Sequence, residues 1–360
     1  MREILTKGQF SILGIFLSTS LFLGATVYGV PHLSYQDSWL SMIIAYLIGF
    51  IPLFIYYQIL NYNPKLNIIE LLNNKFKYLG KIISIIITIF MIFHASLMLW
   101  NTANFINSQY LYQTPLIIIS ILFLIAIIYI VETGITGIGR TGTIILIISV
   151  SLSIITTILL TPQVELSKLK PTLENGFMNI FKASGLSFVY NVLPIFALLI
   201  IPKDNITNNK KMVKNFLIGY SLAFLFMFIV IFYLITVLGI ELTNLYQYPE
   251  YHILRLVNIS NFFQRMESII SLLWILNSIM GITVCLYFIK KSTLQNFKIK
   301  KYNTLITIII SIIILIISKY IFSNNTMAEI FFTTKYPIML IIMFLILPLI
   351  LLISLKLSKN

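Results

Sequence analysis

Charge is scarce in this sequence. Only 10% of its residues are Asp, Glu, Lys or Arg, against about 25% in soluble domains. With 59% hydrophobic residues over 360 positions and a mean hydropathy of +0.96, the apolar surface exceeds what a water-soluble core absorbs, so a soluble fold is excluded. Cysteine is nearly missing as well. Cys285 stands alone inside an apolar run, which rules out an internal disulfide and any cysteine-based metal site and leaves it the role of a small buried apolar residue. The three histidines (His32, His94 and His252) and the scattered carboxylates form no Ser-His-Asp order, no HExxH and no GxxxxGK[ST] phosphate loop. Neither an enzyme nor an ATP-driven pump is expected, and no catalytic residue, metal or cofactor is assigned.

What the chain has in abundance is long apolar runs. Ten can be read, at about 8–30, 39–60, 81–105, 115–131, 139–161, 179–201, 216–240, 262–289, 303–321 and 336–355. Most reach the roughly 20 residues needed to cross a 30 Å hydrocarbon layer as a helix, and the fourth is near the lower limit. A lipid bilayer is therefore the expected environment. The first run lacks a small-residue cleavage site and is followed by Pro31-His32, so it is read as a span and not as a cleaved signal peptide.

The net charge of +14 invites a nucleic-acid reading, but the basic residues sort by side of the membrane. With a cytoplasmic amino terminus, 18 of the 25 Lys and Arg fall in inside segments; only Lys168, Lys170, Lys182, Arg255, Arg265, Lys319 and Lys335 fall outside. That is the positive-inside bias of an even number of spans with both termini cytoplasmic. No nucleic-acid partner is expected. Nor does any Gly/Ser- or Pro-rich linker divide the chain, so residues 1–360 read as a single membrane domain.

Division after residue 161 gives two sets of five spans, 1–161 and 162–360, and an odd number forces the second set to enter from the opposite side. Two further features agree with such an inverted repeat. Residues 66–76, between spans 2 and 3, and residues 246–261, between spans 7 and 8, are amphipathic stretches at equivalent places in the two halves, although interfacial helices occur in many polytopic proteins. Small residues also interrupt the first run at Gly24-Ala25-Thr26-Val27-Tyr28-Gly29 and the sixth at Ala183-Ser184-Gly185-Leu186-Ser187, with Pro194 further on. Paired interruptions in corresponding spans are the sequence sign of a transporter-type binding site. The expected fold is all-α and integral to the membrane: ten helices in a 5+5 inverted repeat of the LeuT/APC type, with helices 1 and 6 broken.

Broken helices suit small polar ligands, because half-helix amino ends present free N–H groups with partial positive charge and unwound carbonyls accept hydrogen bonds. Gly24, Ala25 and Thr26 would form the gap in span 1, with Tyr28 adding a second hydroxyl. Ser184, Gly185 and Ser187 would do the same in span 6. The competing reading is that small residues let helices approach closely. His94, in the middle of span 3, and Tyr190 and Asn191, in span 6, are polar groups at a costly depth. Each either lines the pocket or pins neighbouring helices, and His94 could also carry a proton or gate. At the surfaces, Arg140 is a candidate inner lock or a plain positive-inside charge.

The segment Tyr248-Pro249-Glu250-Tyr251-His252-Ile253-Leu254-Arg255, followed by Phe262-Phe263-Gln264-Arg265-Met266-Glu267, resembles the YPxYxxxR...FxxRxE pattern of the spore germination B-subunit permeases, the GerAB type of the amino acid/polyamine/cation (APC) transporter superfamily. Gln36-Asp37-Ser38-Trp39 and the Glu132, Gly134, Arg140 theme agree with it. The resemblance runs over essentially the full length. It implies the nutrient-sensing B subunit of a germinant receptor in the inner membrane of a bacterial endospore, beside an A subunit and a C-subunit lipoprotein, with an amino acid, sugar or nucleoside as ligand. It also implies an outer lid or gate around Arg255, Arg265 and Glu267, where interfacial charge marking is the alternative. Relatives often carry a Glu in the middle of span 6, whereas this chain has no acidic residue from position 187 to 201, which weakens an ion-coupling role there. The rival to a sensor is a secondary transporter for amino acids or related solutes, coupled to H⁺ or Na⁺.

Overall fold

Inside a bilayer no water satisfies a backbone N–H or C=O, so the chain must pair these groups internally, and a helix does this within one segment. The structure, a computed structural model, describes residues 4–255, 267–301 and 303–357. The described residues are nearly all helical. In chain order the helices are α1 Lys7–Thr19, α2 Val27–Ser34, α3 Ser38–Tyr62, α4 Ile68–Gln109, α5 Leu116–Glu132, α6 Gly134–Leu160, α7 Phe177–Asn191, α8 Met212–Tyr233, α9 Ile240–Leu245, α10 Pro249–Arg255, α11 Glu267–Asn296, α12 Asn303–Tyr320, α13 Asn325–Thr333, α14 Lys335–Ile341 and α15 Leu347–Leu357. Two two-residue strands, β1 Leu5–Thr6 and β2 Ile206–Thr207, pair in parallel.

Among the described residues, eight helical stretches are long and apolar enough to cross a membrane. The first, Lys7–Tyr62, is a folded-back run of 56 residues, and the 17-residue α5 is a shorter apolar helix beside these eight. Burial sorts the stretches. Phe177–Ile200 is almost wholly enclosed, whereas α6, α12 and the α14–α15 stretch leave most of their apolar surface outside, as lipid-facing helices do.

The connections gather at two opposite ends. At one end the β1–β2 pair ties the amino-terminal strand to the segment after Ile200, Ile4 and Thr136 exchange hydrogen bonds of 3.2 and 3.0 Å, and the Asp204 N–H donates to the Pro64 carbonyl at 2.9 Å. At the same end Lys290 Nζ meets Glu132 Oε1 at 2.7 Å. At the other end Gln36 Nε2 donates to the Pro171 carbonyl at 2.5 Å, Asp37 Oδ2 accepts from the Leu173 N–H at 2.9 Å, and Asn104 Nδ2 donates to the Tyr248 hydroxyl at 2.8 Å.

The predicted amphipathic segment 66–76 forms the first turns of α4. Its start is a capping box: Asn67 Oδ1 accepts from the Glu70 N–H and Glu70 Oε2 accepts from the Asn67 N–H, at 3.0 and 2.9 Å. Ile68, Ile69, Leu71 and Leu72 are buried, and the chain then turns at Lys77, whose φ of 49° interrupts the helix before the span proper. The turn works because Gly80 has no side chain. A Cβ there would lie 2.0 Å from the backbone oxygen of Leu72, a contact that backbone must move to relieve. Gly80→Ala is expected to destabilise the fold by about 2 kcal/mol and to lower the melting temperature by several degrees, read by thermal unfolding in detergent, while Gly8→Ala, whose nearest foreign atom would be 3.9 Å away, leaves it unchanged.

Candidate functional site

Helix α1 stops at Thr19, where the Oγ1 hydroxyl donates to the Ile15 carbonyl at 3.0 Å and to Asn277 Oδ1 at 3.3 Å. The backbone then leaves the helical region: Leu23 has φ −69° and ψ 132°, and Gly24 has φ +84° and ψ −58°. A positive φ is the conformation glycine reaches without penalty. Side chains from other elements satisfy the backbone groups thus released. The Leu23 carbonyl accepts from Asn101 Nδ2 at 3.2 Å, and the Gly24 N–H donates to Glu250 Oε1 at 2.9 Å. Space is equally tight, since a Cβ on residue 24 would lie 2.8 Å from both Asn101 Oδ1 and Trp274. Trp274 is held by stacking on Phe105, ring centroids 4.0 Å apart. The chain returns to helix at α2.

Span 6 departs from the expectation. Helix α7 is regular through Ala183–Ser187, and the change comes at Val192, after which residues Leu193–Ile200 wind as a 3-10 helix. Pro194 supplies the reason: it has no N–H to give the Tyr190 carbonyl, so the α-helical ladder cannot continue. Ser184 therefore bonds within its own helix, to the Ile180 carbonyl at 2.7 Å, and a Cβ on Gly185 would meet nothing within 4 Å. Ser187 donates to Met42 Sδ at 3.2 Å and accepts from Asn191 Nδ2 at 3.0 Å. The two interruptions do meet, through Thr26 Oγ1, which donates to Asn191 Oδ1 at 3.2 Å.

Of the sequence-predicted site residues, Gly24, Ala25 and Tyr28 line a cavity of about 30 Å³ together with Asn101, Tyr248 and Glu329. This is room for one or two waters. Gln247 and Tyr248, just before α10, and Ala328, Glu329 and Phe332 of α13 cover it, and Glu329 Oε2 accepts from the Tyr28 hydroxyl at 3.2 Å. His94 and Tyr190 do not line it. His94 Nδ1 bonds the Tyr336 hydroxyl, the Tyr190 hydroxyl donates to the Phe332 carbonyl, and both side chains are packed in a cluster with Phe344 and Phe331 nearby. Asn101 lies two turns beyond His94 on the same helix, about 10 Å along the axis, and it is Asn101 that reaches the interruption.

The charged candidates are spread out. Arg140 is exposed, and the carboxylate expected near it, Glu132, is taken by Lys290, Thr304 and Thr307 at 2.7, 2.8 and 2.6 Å. Arg255 is exposed at the end of α10, Glu267 is buried at the start of α11, and Arg265 lies outside the described residues. Neither Asn101 nor Trp274 is among the residues expected from the sequence, and Glu250 enters there only within the motif of residues 248–255. An amide in mid-span is itself a signal, because such groups need partners at that depth.

Glu250 is 1% exposed. Burial raises its carboxyl from the ordinary 4.5 to about 7, a rise held back by hydrogen bonds from its own N–H and that of Gly24. His252, on the same helix, is lowered by burial and by Arg255.

In this membrane bundle the interruption of span 1, its Gly24 N–H bonded to a carboxylate, touches the end of α7 where span 6 changes its winding. Solved structures agree on the fold. The chain is similar to a substrate-bound, outward-open Na⁺-coupled sialic acid symporter (TM-score 0.65, 14% identity, covering 93% of this chain and 77% of that one) and to MhsT in complex with L-phenylalanine (TM-score 0.64, 11% identity, covering both chains in full). Both are transporters of the LeuT fold. The pattern that defines the spore germination protein family matches residues 10–327, and this chain belongs to that family of membrane permeases, which are not enzymes. Among its relatives are spore germination protein KB of Bacillus subtilis (strain 168), 23% identical over 310 residues and covering 83% of this chain and 82% of that protein, and spore germination protein XB of Bacillus anthracis, 25% identical over 282 residues and covering 78% of each.

The Glu250 site predicts a pH effect of defined sign. With a folded value near 7 and an unfolded value near 4.5, the folded state holds this proton more tightly, so the stability it contributes is full below pH 4.5 and is lost as pH rises to 7. The loss is on the order of 3 kcal/mol. Glu250→Gln removes it: melting temperatures of wild type and variant, compared at pH 5 and pH 8, are expected to move in the variant's favour at pH 8.

Proposed function

We propose that this chain is the ligand-sensing B subunit of a germinant receptor, binding a small polar nutrient, an amino acid in the first instance, where the interruption of span 1 meets that of span 6. One observation carries this reading. The Gly24 N–H at the interruption is bonded to a carboxylate, Glu250 Oε1, at 2.9 Å, which is the chemistry an amino acid's carboxylate would use at the positive end of a half-helix. Gly24, Ala25, Thr26, Tyr28 and Asn191 are the residues proposed to form the site, with Asn101 added from span 3. Ser184 and Ser187 supply hydrogen-bond support from α7, with open space beside Gly185 between them, and His94 and Tyr190 hold the cluster behind it.

Ten spans follow if Lys7–Tyr62 is counted as two crossings and the shorter α5 as one. The gathering of alternate connections at two opposite ends supports this count and, with it, the 5+5 inverted repeat divided after residue 161. The distribution of basic residues favours a topology with both termini on the cytoplasmic, core side of the membrane, proposed here to be the spore inner membrane. The A subunit and the C-subunit lipoprotein are the proposed partners. Ligand acts by favouring one conformation, and does so only to the extent that it binds that state more tightly than the other.

A coupled transporter shares this fold, as the similar symporter shows, but the absence of an acidic residue between positions 187 and 201 favours sensing over ion coupling. Two measurements separate the readings. Spores lacking this chain, tested against amino acids, sugars and nucleosides in a strain without paralogues, are expected to lose the germination response to at least one class; an unchanged response to all three overturns the receptor. Proteoliposomes holding the chain alone are expected to bind that nutrient without accumulating it, and sustained uptake would make it a transporter. Gly24→Ala is expected to abolish the response at normal protein level in the membrane.

A further inference from the structure

Beside the interruption lies a second and larger cavity, of about 250 Å³, between α1, α6, α8, α10 and α11. It opens sideways. Its mouth is formed by Val150 and Ile154 of α6 and Leu222 and Leu225 of α8, each about half exposed on the apolar flank of the bundle. A molecule reaching it comes from within the bilayer. Its walls are apolar, Phe226 and Tyr233 among them, apart from the hydroxyls of α6, including the buried Ser149 and Thr156, and on the side of α1, α10 and α11 Thr19, Asn277 and Glu250 line it, exposed 4%, 5% and 1%.

These groups all offer acceptors. Glu250 spends Oε1 on the Gly24 N–H, and its Oε2, fully buried, has no hydrogen-bond partner among the described residues. Asn277 is oriented by its Nδ2, which donates to the Leu273 carbonyl at 2.8 Å, leaving Oδ1 to face the Thr19 hydroxyl at 3.3 Å. A buried carboxylate without a counter-charge is costly, and an unmet acceptor in an apolar wall adds to that cost. An ammonium group has three N–H donors and no acceptor, so it matches a carboxylate oxygen, an amide oxygen and a hydroxyl. An acyl chain of a neighbouring lipid would fill the apolar part but leave Glu250 Oε2 unmet.

We propose that this cavity is a binding site for a primary amine carrying an apolar body, with the ammonium held by Glu250, Asn277 and Thr19 and the body lying along the α6–α8 wall. The site is distinct from the small cavity at Gly24 and does not rest on the nutrient reading. The two are linked through Glu250, which lines the larger cavity and holds the Gly24 N–H. An ammonium on Oε2 and the Gly24 N–H on Oε1 bind opposite sides of one carboxylate, so an occupied cavity reinforces the contact that closes α10 over the interruption.

The test uses the full chain in nanodiscs of phosphatidylcholine at pH 8, above the value near 7 to which burial raises Glu250. The probes are labelled n-hexylamine and n-hexanol, which share the apolar body and differ in the head. Saturable binding of one hexylamine per chain is expected, at least tenfold tighter than hexanol, and Glu250→Gln should weaken hexylamine at least tenfold while leaving hexanol as it was. Leu225→Trp narrows the mouth without touching the carboxylate and should remove hexylamine binding with the melting temperature unchanged. Equal binding of the two probes, or hexylamine binding that survives either substitution, overturns the proposal and makes the cavity a crevice for lipid acyl chains. Should Glu250→Gln fail to fold, the Leu225→Trp result and the comparison of the two probes decide the matter alone.

Discussion

In a bilayer every free backbone group must find a partner inside the protein, and the organisation of this chain around residue 24 follows from that requirement. Leaving the helix at Leu21–Gly24 releases N–H and C=O groups at a depth where water is absent. Asn101 takes the Leu23 carbonyl and Glu250 takes the Gly24 N–H. These two bonds draw three separate parts of the chain onto one point: span 1, the core-facing side of α4, and the outer helix α10. Trp274 of α11 fills the remaining space against Gly24 and is fixed by Phe105. The interruption is therefore a structural hub before it is a binding site. Any ligand that bonds the Gly24 N–H must displace Glu250, so ligand occupancy and the position of α10 are linked through a single hydrogen bond.

The opposite end has its own fastening. Glu132, at the end of α5, is held by Lys290 of α11 and by Thr304 and Thr307 of α12. Helix α11 thus joins both: Trp274 packs on the interruption near its outer end, and Lys290 pairs near its inner end. A rigid helix of 30 residues carries a displacement from one end to the other, which is the minimum a sensor or an alternating-access device needs. The cavity at Gly24, about 30 Å³, has room for water and for no larger molecule.

Much of this was legible in the sequence, for physical reasons. Spans announce themselves because hydrocarbon tolerates only apolar side chains over 20 residues, and Gly24 because few residues adopt a positive φ. The amphipathic segment before span 3 was visible from its apolar spacing, and the capping pair Asn67 and Glu70 fits it. The break in span 6 lies later than expected. Ala183-Ser184-Gly185-Leu186-Ser187 looks flexible by composition, yet small residues inside a membrane helix pack as readily as they break it. Pro194, noted but given less weight, imposes the change eight residues or so later by removing a donor. His94 drew attention for its chemistry, whereas Asn101, two turns on, does the bonding. Contacts between distant segments, such as Glu250 with Gly24 or Thr26 with Asn191, have no local signature in one sequence.

The outer helix changes meaning in light of these contacts. Its motif, Tyr248-Pro249-Glu250-Tyr251, opens the stretch first read as a lid or gate around Arg255, Arg265 and Glu267. Arg255 instead points to the surface, and Glu250 is turned inward to the backbone of span 1. A lid held by an Arg–carboxylate pair would open by breaking an exchangeable surface contact, screened by salt and weak in water. A lid held by a buried carboxylate on a half-helix N–H opens only when that carboxylate finds another partner or a proton, because withdrawing it alone leaves both groups unmet in an apolar site. The second kind of latch answers to chemistry inside the bundle, not to ionic strength outside it. Of the two, the buried latch is the more selective for what opens it.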